Sequence, residues 1–158
     1  MDKGHAGLQL LKAIITTVPG VPCIYQGDEY GVPGANDPDN RDMMRFEADN
    51  EHQEREFAQT QALLKHRRQT MPLMYGDYRT LYADDAAWVF LRHYMGQWSV
   101  VAINVRGEAC EVEAQLPSFV RCGELTLSPA TEGAAAECLG EGKLKIVLPA
   151  YGYMVVNK

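Results

Sequence analysis

The sequence has no long uninterrupted hydrophobic run. Its longest apolar stretch near the start, residues 8–18, is broken by Gln9, Lys12, Thr16 and Thr17, short of the roughly 18 apolar residues a membrane span needs. No small-residue cleavage site follows it, so no signal peptide is expected in this segment; localisation stays open, with the cytoplasm favoured over secretion. Clustered positive charge is lacking too. The net charge is −6, and Arg67, Arg68, Arg92, Arg121, Lys143 and Lys145 are scattered, which excludes the electrostatic footprint of a nucleic-acid partner. Cysteine is sparse: Cys23, Cys110, Cys122 and Cys138 form no C-x-x-C pair, and no histidine lies near enough in sequence to complete a metal motif. They read as four buried or half-buried thiols, although the even count permits two disulfides in an oxidising compartment. His5, His52, His66 and His93 are dispersed and read as surface residues. Neither a metal nor another cofactor is expected. What is present suffices for a folded core, since 46% of the 158 residues are hydrophobic and 23% charged, far from a disordered composition.

The chain falls into two parts with different patterning. In residues 4–18 the polar positions Gln9, Lys12 and Thr16 recur at three- and four-residue steps, which predicts a helix whose remaining surface is apolar. Pro19, Gly20 and Pro22 end it, and residues 22–26 form a short apolar run of the kind found in buried parallel strands. Residues 28–50 carry Gly31, Pro33, Gly34 and Pro38 among many carboxylates and predict a long loop. Asn50 is placed to cap a second helix, with Gln53 as its reciprocal partner, running to about residue 69 before Pro72; Phe57, Ala58, Gln61, Ala62, Leu63 and Leu64 mark its inner side.

Beyond Met71 the pattern changes to short β-branched and aromatic runs separated by turn signals at Asp84-Asp85, Gly96, Gly107, Gly123, Gly140 and Gly142, and no further helix is required. Cys110, Val112, Ala114 and Leu116 alternate with Glu111, Glu113 and Gln115, whereas residues 88–91 are apolar on both faces. That mixture predicts an antiparallel β-sandwich. The fold class is thus α+β, with a helix–strand–loop–helix at 1–70 and a sandwich at 71–158. A lone buried strand in the first part needs neighbours for its backbone groups, which implies that further chain precedes residue 1.

The stretch Pro19-Gly-Val-Pro-Cys-Ile-Tyr-Gln-Gly-Asp-Glu29, followed by Gly34-Ala-Asn-Asp-Pro-Asp-Asn-Arg41, resembles the end of the catalytic barrel in α-amylase-family glycoside hydrolases, especially the neopullulanase and cyclomaltodextrinase branch. Leu63-Leu-Lys-His-Arg-Arg68, Pro72-Leu, Gly76-Asp-Tyr and Val101-Ala-Ile-Asn104 resemble the helix after the last barrel strand and the β-sandwich that follows. The resemblance implies that residues 4–18, 22–26 and 52–69 are the seventh helix, eighth strand and eighth helix of a (β/α)8 barrel, whose active site is built from loops at the C-terminal strand ends. It also implies a retaining mechanism with two carboxyl groups and a third, assisting Asp. In the family all three follow earlier strands, the last within an Asn-His-Asp motif that this sequence does not contain. The catalytic carboxylates are therefore expected upstream of Met1, and no catalytic residue is assigned here.

Asp37 and Arg41, four apart, match a family pair that binds a glucose unit on the non-reducing side of the cleavage point, and a carboxylate beside a guanidinium can hold sugar hydroxyls. The bland reading is an Asp–Arg bridge that only folds the loop. Asp28 and Glu29 are adjacent, point different ways at a strand end and are read as backbone-binding rather than catalytic. Tyr25 is assigned to core packing, with Tyr30 open between core and sugar stacking. Lys65, Arg67 and Arg68 read as a solvated last helical turn. Trp88, Trp98, Tyr75, Tyr78, Tyr82 and Tyr94 favour packing over an exposed sugar platform. Two departures from the family pattern, at Gln26 and across 42–46, leave specificity undefined. The expected role is the terminal part of an α-glucan hydrolase or transglycosylase, with an α-glucan or maltooligosaccharide as partner, and with self-association through the apolar barrel fragment. The alternative from another class is a non-catalytic carbohydrate-binding or interaction module.

Overall fold

The structure, a computed structural model, describes residues 3–34 and 36–158; Ala35, within the motif quoted above, lies outside them. Two long helices come first, α1 (Lys3–Thr17) and α2 (Glu51–Gln69), then a single-turn helix α3 (Met71–Tyr75). Eight strands follow: β1 (Asp77–Ala83), β2 (Ala87–Tyr94), β3 (Gln97–Asn104), β4 (Cys110–Gln115), β5 (Thr126–Ala130), β6 (Ala135–Gly140), β7 (Lys143–Leu148) and β8 (Tyr153–Asn157). They form a five-stranded sheet in the order β1-β2-β3-β8-β5 and a three-stranded sheet β4-β7-β6, with antiparallel pairing throughout.

Alternation in the sequence decides which sheet has a wet face. In β4, Val112 and Ala114 are buried while Glu111, Glu113 and Gln115 are exposed; Leu144, Ile146 and Leu148 of β7 alternate likewise. These side chains pack on Val89, Leu91, Val100, Ala102, Met154 and Val156 to form the sandwich core. The intervening residues Phe90, Val101, Ile103, Tyr153 and Val155 face the other way and are covered by Leu10 and Ala13 of α1, Leu63 of α2 and Leu73 of α3. The large sheet therefore has a sheet on one face and helices on the other, which is why its central strands are apolar at consecutive positions.

Several expectations change at this level. Residues 21–25 have no regular structure and no ladder partner among the described residues. Exposure still alternates along them, with Val21, Cys23 and Tyr25 exposed and Pro22 and Ile24 half-buried, as in extended backbone with nothing beside it. The single turn of α3 was not expected; Pro72 starts it, where a missing N–H costs nothing. Asn50 caps α2 as predicted, its Oδ1 accepting from the backbone N–H of His52 and Gln53, but Gln53 Oε1 accepts from Asp49 N–H rather than Asn50 N–H. Cys122 and Cys138 are joined in a disulfide with Cα atoms 6.0 Å apart, leaving exposed Cys23 and half-buried Cys110 free; four cysteines allow three pairings, and spacing alone chooses none.

The largest revision concerns the two helices. They run parallel, and α1 buries polar positions, Lys12, Thr16 and Thr17, as fully as its apolar Ala6, Leu10 and Ala13. Lys12 and Glu56 form an ion pair at 2.7 Å with side-chain exposures of 2% and 0%, and Gln9 Nε2 donates to the other Glu56 oxygen at 3.0 Å. Further along, Arg67 is buried and donates to the carbonyls of Thr16, Val18 and Gly20, and Arg92 of β2 donates to Thr17 O. Two guanidiniums thus hold the C-terminal carbonyls of α1, satisfying acceptors that have no intrahelical partner. Burial lowers the pKa of both, and for Arg92 the neighbouring Arg67 adds to the effect. Leu11, Ala58 and Ala62, on the expected inner sides, are exposed instead.

Candidate functional site

The loop between α1 and α2 carries the candidate residues, and its path is set by two glycines. Gly27 (φ 92°) and Gly31 (φ 66°) bracket the 3-10 turn Asp28–Tyr30, both in the left-handed region where a side chain is strained. A Cβ at Gly31 would stand 3.2 Å from both Leu8 and Glu56, so the turn is seated directly on the two helices. Tyr30 anchors it: 5% exposed, its ring stacks on Phe57 with centroids 4.9 Å apart. Tyr25, assigned to the core from sequence, is 53% exposed. Tyr25 is exposed because residues 21–25 have no sheet to bury it, and Tyr30, left open between core and sugar stacking, packs into the core.

Asp28 and Glu29 bind backbone, as read from the sequence. Asp28 Oδ2 accepts from Tyr25 N–H at 3.2 Å, and Glu29 Oε2 from Gly27 N–H at 2.8 Å. Each thereby fixes the turn that contains it, and neither is aimed at a common reaction centre.

Beyond Gly34 two successive turn bonds fold the chain back on itself, Asp39 N–H to Asn36 O and Arg41 N–H to Pro38 O, both 2.9 Å. They bring Arg41 over Asp37, whose Oδ1 accepts from Arg41 Nε at 2.6 Å. The pair stands in solvent, with Arg41 70% and Asp37 61% exposed. In that setting a charge-assisted bond contributes little to stability, while the guanidinium's remaining N–H groups and the second carboxylate oxygen stay open to a ligand. Beside it lies a cleft of about 230 Å³ walled by Tyr25, Gln26, Asp28, Asn40, Asp42, Met43 and Arg45; Asp37 and Arg41 do not line it. Gln26 Nε2 donates to Asp42 O at 2.7 Å across it, and Arg45 pairs with Asp42 at 3.7 Å and with Asp49. The cleft is polar, open and flanked by the half-exposed Tyr25 ring. Such a wall can take hydroxyl groups on its polar side and a C–H face on the ring.

On the sandwich, Trp98 is buried, whereas Tyr75 and Tyr78 are exposed. Each exposed ring is tilted against a half-buried neighbour, Tyr75 by 45° to Tyr94 and Tyr78 by 57° to Trp88.

No family model matches the chain. It is 31% identical over 150 residues to a cyclomaltodextrinase of Geobacillus thermopakistaniensis, covering 94% of this chain and 24% of that protein. Over 142 residues it is 33% identical to neopullulanase 2 of Thermoactinomyces vulgaris, covering 89% of this chain and 23% of that one. Among solved structures, the debranching enzyme of Nostoc punctiforme superposes with a TM-score of 0.82 at 27% identity, over 97% of this chain and 31% of that one. An α-amylase from Geobacillus thermoleovorans, complexed with acarbose, gives 0.79 at 25% identity, over 98% and 33%. The chain thus spans about a quarter of the length of these curated relatives and about a third of the solved structures.

Proposed function

Since the chain belongs to the α-amylase family of glycoside hydrolases and corresponds to the C-terminal part of such enzymes, we propose that it is a segment of a retaining α-glucan hydrolase or transglycosylase. Its own share is one sugar-binding loop and a sandwich that supports it. The observation that carries this reading is the solvent-exposed Asp37–Arg41 pair on a loop held by Gly27, Gly31 and Tyr30. A short ion pair in water does little for folding, and this one presents fixed donors and acceptors beside an open polar cleft. In the proposed role Arg41 donates to, and Asp37 accepts from, the hydroxyls of one glucose unit, while Tyr25 lies along a neighbouring sugar face.

The reacting carboxylates are proposed to lie outside this segment. Asp28 and Glu29 are engaged with backbone N–H groups, and a retaining pair needs carboxyls about 5–5.5 Å apart across the scissile bond. The partner is an α-glucan or maltooligosaccharide, and the exposed Leu11, Val21, Tyr25, Met43 and Phe46 support contact with further barrel structure or a second copy. Nothing in the charge distribution suits nucleic acid.

Two measurements test the reading. Titration of the 15N-labelled chain with maltotriose should move the amide signals of residues 36–42 and the Arg41 side-chain signal, and Arg41→Ala should abolish the response. Perturbations confined to Tyr75, Tyr78 and Tyr94, or none at all, would instead favour a sandwich-based binding module or a purely structural part. The isolated chain should release no reducing sugar from starch or cyclodextrins above buffer, because the missing groups supply too much of the rate. Turnover abolished by Asp28→Asn or Glu29→Gln would overturn that assignment.

A further inference from the structure

Three ligand-bearing side chains from distant parts of the sequence meet where α1 and α2 begin. His5 comes from α1, and His52 and Glu56 lie one turn apart on α2, so that parallel packing of the helices brings all three to one spot. His5 Nδ1 and His52 Nε2 are 2.7 Å apart, and one ligand atom from each of the three residues lies within 4.8 Å of the others. Glu56 is fully buried, while both histidines are half-buried and open to solvent on one side.

Two imidazole nitrogens at 2.7 Å share one proton between two lone pairs. A metal ion can replace that proton and use both lone pairs. Tetrahedral ligands at 2.0–2.1 Å from zinc stand about 3.4 Å apart, so the rings need open by less than about 1 Å. Two imidazoles and one carboxylate suit a borderline first-row dication and do not suit calcium or magnesium, which favour all-oxygen sets. Each carboxylate oxygen already accepts one hydrogen bond, Oε1 from Gln9 Nε2 at 3.0 Å and Oε2 from Lys12 Nζ at 2.7 Å, the outer-shell support that ligating carboxylates usually have, with a further lone pair on each oxygen left for a metal. Lys12 and the positive ends of the two helices act against a dication, which makes this a weaker site than a thiolate-rich structural one.

We propose that His5, His52 and Glu56 form a zinc-type divalent metal site, completed by solvent, that pins the start of α1 to the start of α2. The ion binds as the proton between His5 Nδ1 and His52 Nε2 passes by way of solvent to the other nitrogen of the donor ring, so that both histidines ligate as neutral imidazoles. No redox step is involved.

The test uses the full chain in a Cys23→Ser/Cys110→Ser background, stripped with chelator, so that the free thiols cannot compete. Calorimetric titration with Zn²⁺ should give one equivalent, and Co²⁺ should develop the visible d–d absorption of a four- or five-coordinate site. In 15N-histidine spectra the ring nitrogens of His5 and His52 should shift, and those of His66 and His93 should not. Zn²⁺ should raise the melting temperature. His5→Gln, whose melting in chelator should match the parent, should lose that rise and weaken binding by at least the roughly 100-fold that loss of an outer-shell partner can cause. The absence of stoichiometric binding would overturn the proposal. So would binding retained in His5→Gln/His52→Gln, or ring shifts confined to His66 or His93; the spectra of the unsubstituted histidines decide the matter even if a variant fails to fold.

Discussion

Lys12 and Glu56 are the residues at which sequence reasoning and structure part most clearly. A lysine and a glutamate in helices read as solvent-facing, because ionised groups are costly to bury. Here each removes the other's cost, and Gln9 satisfies a further carboxylate lone pair. The pairing spans 44 residues, so no local window contains both members. Arg67 is hidden in the same way: it looks like the solvated end of α2, yet the acceptors it serves belong to α1. Lys12→Met alone should cost about 3–5 kcal/mol in denaturant unfolding, since it strands a buried carboxylate, whereas Lys12→Met/Glu56→Leu should recover most of that loss. A double variant as unstable as the single would show that the charges do more than neutralise one another.

His66 gives the residue scale a pH dependence. Burial holds its imidazole below the ordinary value, against a smaller opposing effect of the Asn157 amide. The folded state therefore binds this proton less readily than the unfolded chain, whose histidine titrates near pH 6.5. Stability should be full above that pH, fall as pH drops through the interval between the unfolded and folded pKa values, and level off below it. His66→Gln should flatten this part of the curve in chelator-containing buffer. An unchanged slope between about pH 7.5 and 5 would assign the effect to another group.

At the scale of elements, legibility followed whether an element's partners are local. β2 and β3 form a hairpin across Met95 and Gly96, both at positive φ, and the turn signal and apolar runs were plain in the sequence. So were the alternation of β4 and β7 and the Asn50 cap. Residues 22–26 carry an equally apolar run, but strand identity depends on a neighbour to bond, and the described residues offer none. The loop was legible as a loop from its glycines and prolines. Its internal order was not, because the stacking of Tyr30 on Phe57 and the seating of Gly31 on Leu8 and Glu56 are tertiary facts. Asp37 and Arg41 were legible as a pair by their four-residue spacing, and the two turn bonds between residues 36 and 41 provide the fold-back that spacing alone cannot specify.

For the whole molecule, the proposed division near residue 71 separates two sequence grammars but runs through a shared core. Phe90, Val101, Ile103, Tyr153 and Val155 of the large sheet are buried by α1, α2 and α3, at about 1.5–3 kcal/mol for each large apolar side chain covered. A chain starting at Met71 should keep its β-sheet circular dichroism, since the core between the two sheets is untouched, yet bind an apolar dye and melt well below the full chain. The full chain should itself associate at high concentration through Leu11, Val21, Met43 and Phe46. Light scattering and dye binding on both chains check this. A truncation that is as stable as the parent and binds no dye would mean that the helices contribute nothing to the sheet.

The sharing of β2 between two cores also bears on folding fidelity. Val89 and Leu91 belong to one hydrophobic cluster, Trp88 and Phe90 to the other. In a strand with one wet face, a slip by a single residue carries its apolar side chains to solvent and its polar ones into the single core that it serves. Were β2 to slip, small residues would meet the helices and large ones the opposing sheet, and both layers would reject the error together. The strand's register is proofread twice, by side chains that belong to two separate cores.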